Sequence, residues 1–244
     1  MGWIGLLLVG LALADLVHSV RPVKIVPEAT AAIITVLLGL AVGWTGGRDL
    51  LAVVVVAGAV VAWGQTVTRG FGRDQAWLPL TVVSGSFVAA CALAGYAGPV
   101  GGVLGDWVES SPLPLASTLA PDDFLLLLGV VLVQLSTGNV LVRLVLLATH
   151  TSHPARDGAP TGPEARLKGG RLLGPMERLL ILGLGIAGQV TAASLVIAAK
   201  GLLRFPELSS DAGQERIHRL TEYFLVGSFA SWLLALGGVA MMAR

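Results

Sequence analysis

The chain is poor in charge, and it has almost no cysteine. Charged residues fill 13% of its 244 positions, where a soluble domain carries about 25%. With so few ionic groups it cannot cover a water-soluble globule, which excludes an ordinary soluble enzyme and a disordered chain. No sign of charge dominates: 16 Lys and Arg face 15 Asp and Glu, for a net charge of +1. A nucleic-acid binder needs a basic excess, so that class is excluded too. The single cysteine, Cys91, excludes a disulfide framework or an all-cysteine metal site. Neither a phosphate-binding glycine loop following a strand nor a Gly-x-Ser-x-Gly nucleophile turn is present.

What the chain has in abundance is apolar sequence. Hydrophobic residues make up 55% of it, and the mean hydropathy is +0.81. About 20 apolar residues are needed to cross a hydrocarbon core as a helix. Seven stretches meet or approach that length: 2–20, 28–46, 49–67, 78–104, 123–149, 177–203 and 222–242. None alternates as a membrane β-strand would. The expected fold is therefore all-α: a polytopic transmembrane helix bundle, one transmembrane domain over 1–244, with seven spans favoured over six. Ala12-Leu13-Ala14 looks like a signal-peptidase site. No basic residue precedes it, however, and Asp15 and His18 follow, so the first stretch reads as a retained helix.

Charges between the stretches set an expected orientation. Arg21 and Lys24, then Arg69 and Arg73, then Arg156, Arg166, Lys168 and Arg171 mark basic loops, while Asp106, Glu109, Asp122 and Asp123 mark an acidic one. Basic loops favour the cytoplasm. Seven crossings then put the N-terminus outside and the C-terminus inside, in the cell (plasma) membrane. Trp3, Trp44, Trp63, Trp77 and Trp107 fall near span ends, as headgroup-level anchors do; Trp232 alone is mid-span.

Small residues at four-residue spacing let helices approach closely in lipid. Ser86, Ala90, Ala94, Gly98 and Gly102 form such a ladder on the fourth stretch, with Pro99 expected to kink its outer end. Gly227, Ser231 and Ala235 repeat the spacing on the seventh, and Gly183, Ala187 and Thr191 on the sixth. The GxGxxG string 183–188 lies inside an apolar stretch, so it reads as a packing face and not as a dinucleotide loop. Residues 211–220 read as a short surface helix capped by Asp211.

The C-terminal third carries polar residues at set spacing within apolar sequence: Gly174, Glu177 and Arg178; Ala198, Ala199, Lys200, Arg204 and Phe205; Glu222, Tyr223, Leu225 and Gly227. Over about 169–236 this pattern resembles an uncharacterised bacterial multi-pass membrane family. The resemblance implies a helical membrane fold and a residue set; no activity comes with it. The family's first helix has a His-x-x-x-Asp-Phe-x-x-Gln pattern. Asp15 is kept here, but Leu11 and Ser19 stand at the His and Gln positions, so the resemblance carries no metal site.

Ionisable groups inside a span are costly and face protein or water. Asp15 and His18 share a face of the first stretch, three residues apart. Arg143 on the fifth lies at comparable depth, about 6–8 Å inside the boundary at 1.5 Å per residue. An Asp15–Arg143 pair is expected, set against a snorkelling Arg143. Glu177 and Arg178 open the sixth stretch on the same side. Gln134 and Gln189 are further binding candidates, although interhelical bonding is the plainer role for Gln134 and its neighbours Ser136, Thr137 and Asn139. Lys200 and Arg204, closing the sixth stretch, and Glu222, opening the seventh, are candidates for a clamp on the opposite boundary. His150 and His153 have a spacing that can suit a metal, but they have no cysteine nearby. No catalytic residue, metal ligand set or cofactor is assigned.

Three functions are open on this reading. One is binding or translocation of a small solute, ion or lipid through the polar cluster Asp15, His18, Arg143 and Glu177. The second is a non-catalytic accessory or assembly subunit of a membrane complex. The third is an intramembrane metal-dependent hydrolase. The partners the sequence admits are the lipid bilayer, a small-molecule or lipid ligand, and a membrane-protein partner or a second copy of the chain. Nucleic acid is not among them.

Overall fold

A computed structural model describes residues 1–20, 23, 25–151, 170–208 and 214–243. Every regular element among them is helical: α1 (Gly2–Val20), α2 (Val26–Ala41), α3 (Gly47–Arg73), α4 (Trp77–Leu93) with a 3-10 turn (Ala94–Tyr96), α5 (Gly102–Ser110), α6 (Pro114–Ser117), α7 (Pro121–Leu135), α8 (Thr137–Ala148), α9 (Gly170–Ile186), α10 (Val190–Leu208) and α11 (Gln214–Met242). The chain forms two compact units, Met1–Thr137 and Gly138–Arg244, where one transmembrane domain is expected from the sequence.

Among the described residues, four helical segments are long and apolar enough to cross a membrane: Gly2–Val20, Gly47–Arg73, Trp77–Tyr96 and Thr221–Met242. Pro121–Leu135 and Thr137–Ala148, bent by 52°, add a fifth if the pair is one broken span rather than a re-entrant loop. This revises the seven expected stretches in four places. The second is a helix of only 16 residues, about 24 Å long. The fourth does not run to 104, because its helix stops at Leu93 and the 3-10 turn at Tyr96. Pro99 holds the residue before it out of helical conformation, so a helix end stands where a kink is expected. The fifth breaks at Ser136. The sixth is two helices, α9 and α10, joined by residues 187–189.

α1 is the centre of the first unit. Residues 2–12 and Ala14 are all buried, and α2, α3, α4 and α7 pack around it. A helix apolar on every side belongs in such a position. Glycines set its distances to its neighbours. A Cβ at Gly129 of α7 would stand 2.9 Å from the Gly5 carbonyl oxygen, and one at Gly10 would stand 2.7 Å from Thr35 Oγ1 of α2. α4 is the opposite case, with Pro79 its one buried residue. The small-residue ladder read on the fourth stretch is thus not one continuous seam: Ser86 and Ala90 are half-buried on α4, and Gly98 and Gly102 lie beyond its end.

The loop after α4 is held by two carboxylates. Asp49 accepts from Gly98 N–H and from the Trp3 indole, both at 3.1 Å. Asp122, in the acidic first turn of α7, accepts from Val100 N–H at 3.0 Å and Gly2 N–H at 3.2 Å. Acids at a helix N-terminus suit its dipole.

In the second unit, α9 and α10 form an antiparallel hairpin. α9 ends at Ile186, and Gly188 takes φ +72. Gln189 N–H donates to Leu184 O at 2.8 Å, and Gly188 N–H donates to Gly185 O at 3.0 Å. That pair of bonds is a Schellman stop, which wants glycine at the left-handed position. The GxGxxG string is therefore a helix end as well as apolar sequence. The short surface helix expected at 211–220 is instead the start of α11, which runs from Gln214; the proposed cap Asp211 lies outside the described residues.

Candidate functional site

Each unit gathers its polar side chains into a compact node. In the first, Asp15 on α1 is half-buried. The Trp63 indole of α3 donates to both its oxygens, at 3.1 and 3.2 Å. Thr137 Oγ1, at the first residue of α8, donates to Oδ2 at 2.6 Å. Beside it, Ser136 Oγ donates to Ala12 O of α1 at 2.9 Å and to Leu132 O at 3.0 Å. A hydroxyl engaging backbone carbonyls where the ladder is interrupted is a recognised cause of a bend. The broken helix and the carboxylate are therefore one construction.

Asp15 accepts from neutral donors of its own unit. Arg143 belongs to the second unit, where its charge acts on Tyr223. His18 is exposed one turn beyond Asp15, and Gln134 is buried on α7 one turn before the break.

The indoles were expected as headgroup anchors. Trp77 and Trp107 are exposed, but Trp3, Trp44 and Trp63 are buried. Each of these three donates inward: Trp3 to Asp49, Trp44 to the carbonyls of Gly98 and Pro99, and Trp63 to Asp15. A buried indole needs such an acceptor.

The first unit has a second buried acid, at the first position of the second apolar stretch. Glu28 lies in the first turn of α2, 6% exposed. It sits on Gly64 of α3, where a Cβ would collide with the Glu28 side chain. Its Oε2 is buried without a hydrogen-bond partner.

In the second unit, adjacent residues of α9 reach in different directions. Glu177 accepts from Lys200 of α10 and, at 2.9 Å, from the Trp232 indole of α11. Arg178, 1% exposed, donates to Asn139 Oδ1 of α8 at 2.7 Å and to Ser231 Oγ of α11 at 3.2 Å. Gly138 and Gly174 make room for it; a Cβ at Gly138 would stand 2.8 Å from Nε. Two neighbouring charges thus tie four helices.

Lys200 was expected at the opposite boundary from Glu177, clamped to Glu222. The hairpin brings it to Glu177 instead, and Glu222 is exposed within α11 rather than at a helix start. The Arg204 side chain lies outside the described residues, as does His153. Gln189 is not mid-span but exposed in the turn between α9 and α10. Trp232 gave a usable sign in the sequence, being the one tryptophan far from a span end. Trp63 and Glu28 gave none, since both sit where an interfacial residue is unremarked.

No protein family, curated protein or solved structure matches this chain.

Proposed function

We propose that the chain is a multi-pass protein of the bacterial plasma membrane that binds or translocates a small solute, ion or lipid, and that the Asp15 node of the first unit is its working centre. The observation that carries this reading is the Asp15 carboxylate, held at a break between α7 and α8 by the neutral donors Trp63 and Thr137 and in no ion pair among the described residues. Charges inside membrane segments mark solute and ion pathways, and interrupted helices build the binding sites of many transporters.

The α9–α10 hairpin favours a changed topology. With both ends of the hairpin on one side, the 204–219 segment, which includes Arg204, Arg216 and Arg219, joins the basic loops in the cytoplasm. The C-terminus then falls outside with the N-terminus, in place of the inside position that seven crossings require. The resemblance of residues 169–236 to a bacterial membrane family supports the same compartment.

Purified protein in liposomes, loaded with pH- and Na⁺-sensitive dyes and subjected to imposed ion gradients, tests the reading. Wild-type protein is expected to raise the flux above empty vesicles, and Asp15→Asn to remove the increase while keeping the wild-type circular dichroism. Flux indifferent to Asp15→Asn would discard the proposal.

A further inference from the structure

Among the described residues, Glu28 presents a buried acceptor without a donor: the residue is 6% exposed and its Oε2 has no hydrogen-bond partner. The seat is built: Gly64 of α3 offers bare backbone under the Glu28 side chain, and a Cβ there would stand 3.1 Å from Oε1 besides overlapping the stem. Any other residue at 64 would expel the acid.

The hydroxyls around that end of α2 and α3 are spent elsewhere. Thr30 Oγ1 donates to Val26 O and Pro27 O, Thr35 to Ala31 O, Thr66 to Ala62 O and Trp63 O, and Thr68 to Gly64 O. Each satisfies its own helix and none turns to Glu28. Arg21 and Lys24 lie outside the described residues; among the described ones, the charged groups on the packed helices are likewise engaged or directed away. On α1, Asp15 is held by Trp63 and Thr137, and His18 is exposed. On α3, Asp49 binds the loop after α4, Arg69 is exposed and donates to Gln65, and Arg48 and Arg73 are exposed. Asp106 and Glu109 of α5 are exposed and follow the Gly101 N–H bond to Val42 O, beyond the other end of α2. An ionised carboxylate buried without a donor is strongly disfavoured, so an acid kept in such a seat is one that takes up a positive charge from outside.

We propose that Glu28, seated on Gly64, is a binding site for a small monovalent cation, either a proton or an alkali ion. Asp15 of α1 accepts from Trp63, the residue before Gly64 on α3. The site names an ion as the substrate or coupling species of the proposed transport and rests on that reading for its purpose, though not for its occupancy.

Occupancy can be read without flux. A hydrophobic carbodiimide attacks a carboxylic acid: the acid's O–H adds across one C=N bond, the oxygen joining carbon and the proton joining nitrogen, and the adduct rearranges to a stable acylurea. Full-length protein in detergent is treated with dicyclohexylcarbodiimide, digested and mapped by mass spectrometry, with Glu28→Gln as the control for the site. Glu28 is expected to be labelled in sodium- and potassium-free buffer at mildly acidic pH. An alkali-ion site shows labelling reduced at least tenfold by NaCl or KCl at constant pH and ionic strength. A proton site shows the same loss only on raising the pH. Absence of label under every condition, or label insensitive to both salt and pH, overturns the proposal. Cation-sensitive labelling in a protein without flux would leave this inference standing and remove the transport reading; flux with insensitive labelling would do the reverse.

Discussion

Lys200 donates to Glu177 across a hairpin whose turn lies midway between them. As ends of one straight helix they would be about 34 Å apart at 1.5 Å per residue. The turn at 187–189 makes two helices of a single expected span and lets the two residues meet.

The pair should behave as a unit. Lys200→Met leaves a carboxylate whose side chain is 8% exposed beside an apolar neighbour. Removing one partner of a buried pair costs about 3–5 kcal/mol, and the partial exposure of Lys200 puts the effect at the low end. The double variant Glu177→Gln/Lys200→Met should recover most of the loss in denaturant unfolding of the detergent-solubilised protein. Equal destabilisation in single and double variants would show that the two side chains are energetically independent.

Two glycines of the α9 end should respond with opposite signs. Gly188 has φ +72 and open space around it, so Gly188→Val meets only backbone strain, costing about 1–2 kcal/mol. Gly183 lies within α9 with nothing near its Cβ position. Gly183→Ala should gain up to about 1 kcal/mol from helix propensity. Thermal unfolding of the two variants side by side checks the contrast.

The α1–α7 contact depends on the absence of side chains. Gly129→Leu would drive a branched group onto the Gly5 carbonyl and the Leu8 Cβ, which lies 2.8 Å from the position of the first added carbon. Overpacking costs about 1–3 kcal/mol and here should reach the top of that range. Gly58→Leu, on a part of α3 with nothing within 4 Å, should retain wild-type stability. Size-exclusion profiles in mild detergent, with melting curves, separate the two.

Asp15 should be coupled to Thr137. Thr137→Val keeps the shape and removes the 2.6 Å donor. A hydrogen bond to a charged group contributes about 1.5–3 kcal/mol. In a double-mutant cycle with Asp15→Asn, the interaction term should exceed about 1 kcal/mol, well beyond the ordinary error of additivity. Additive effects would show that the hydroxyl does not serve the carboxylate.

Composition alone settled what kind of solvent the chain is made for. With so few charges and so many apolar residues, helices rich in Leu, Val, Ala and Gly are the form in which the backbone can bond to itself away from water. The first stretch was legible almost to the residue, because a long apolar run without proline has one way to end: the polar, proline-bearing sequence after it. Asp15 and Glu177 were visible for the same reason, as rare acids in apolar surroundings.

Partners and helix ends were decided by tertiary structure. The sequence shows how deep Asp15 lies along its helix, but depth is one coordinate. That Trp63 and Thr137, neutral donors on other helices, reach the carboxylate follows from packing. Gly188 reads as one more small residue in an apolar string until its positive φ makes it a stop, and that stop is what brings Lys200 to Glu177. The burial of Glu28 is not legible, because nothing local says that a glycine 36 positions later leaves room for it. Local sequence specifies hydrogen bonds within a helix. Which polar group faces which across helices depends on packing distances that only the assembled fold supplies.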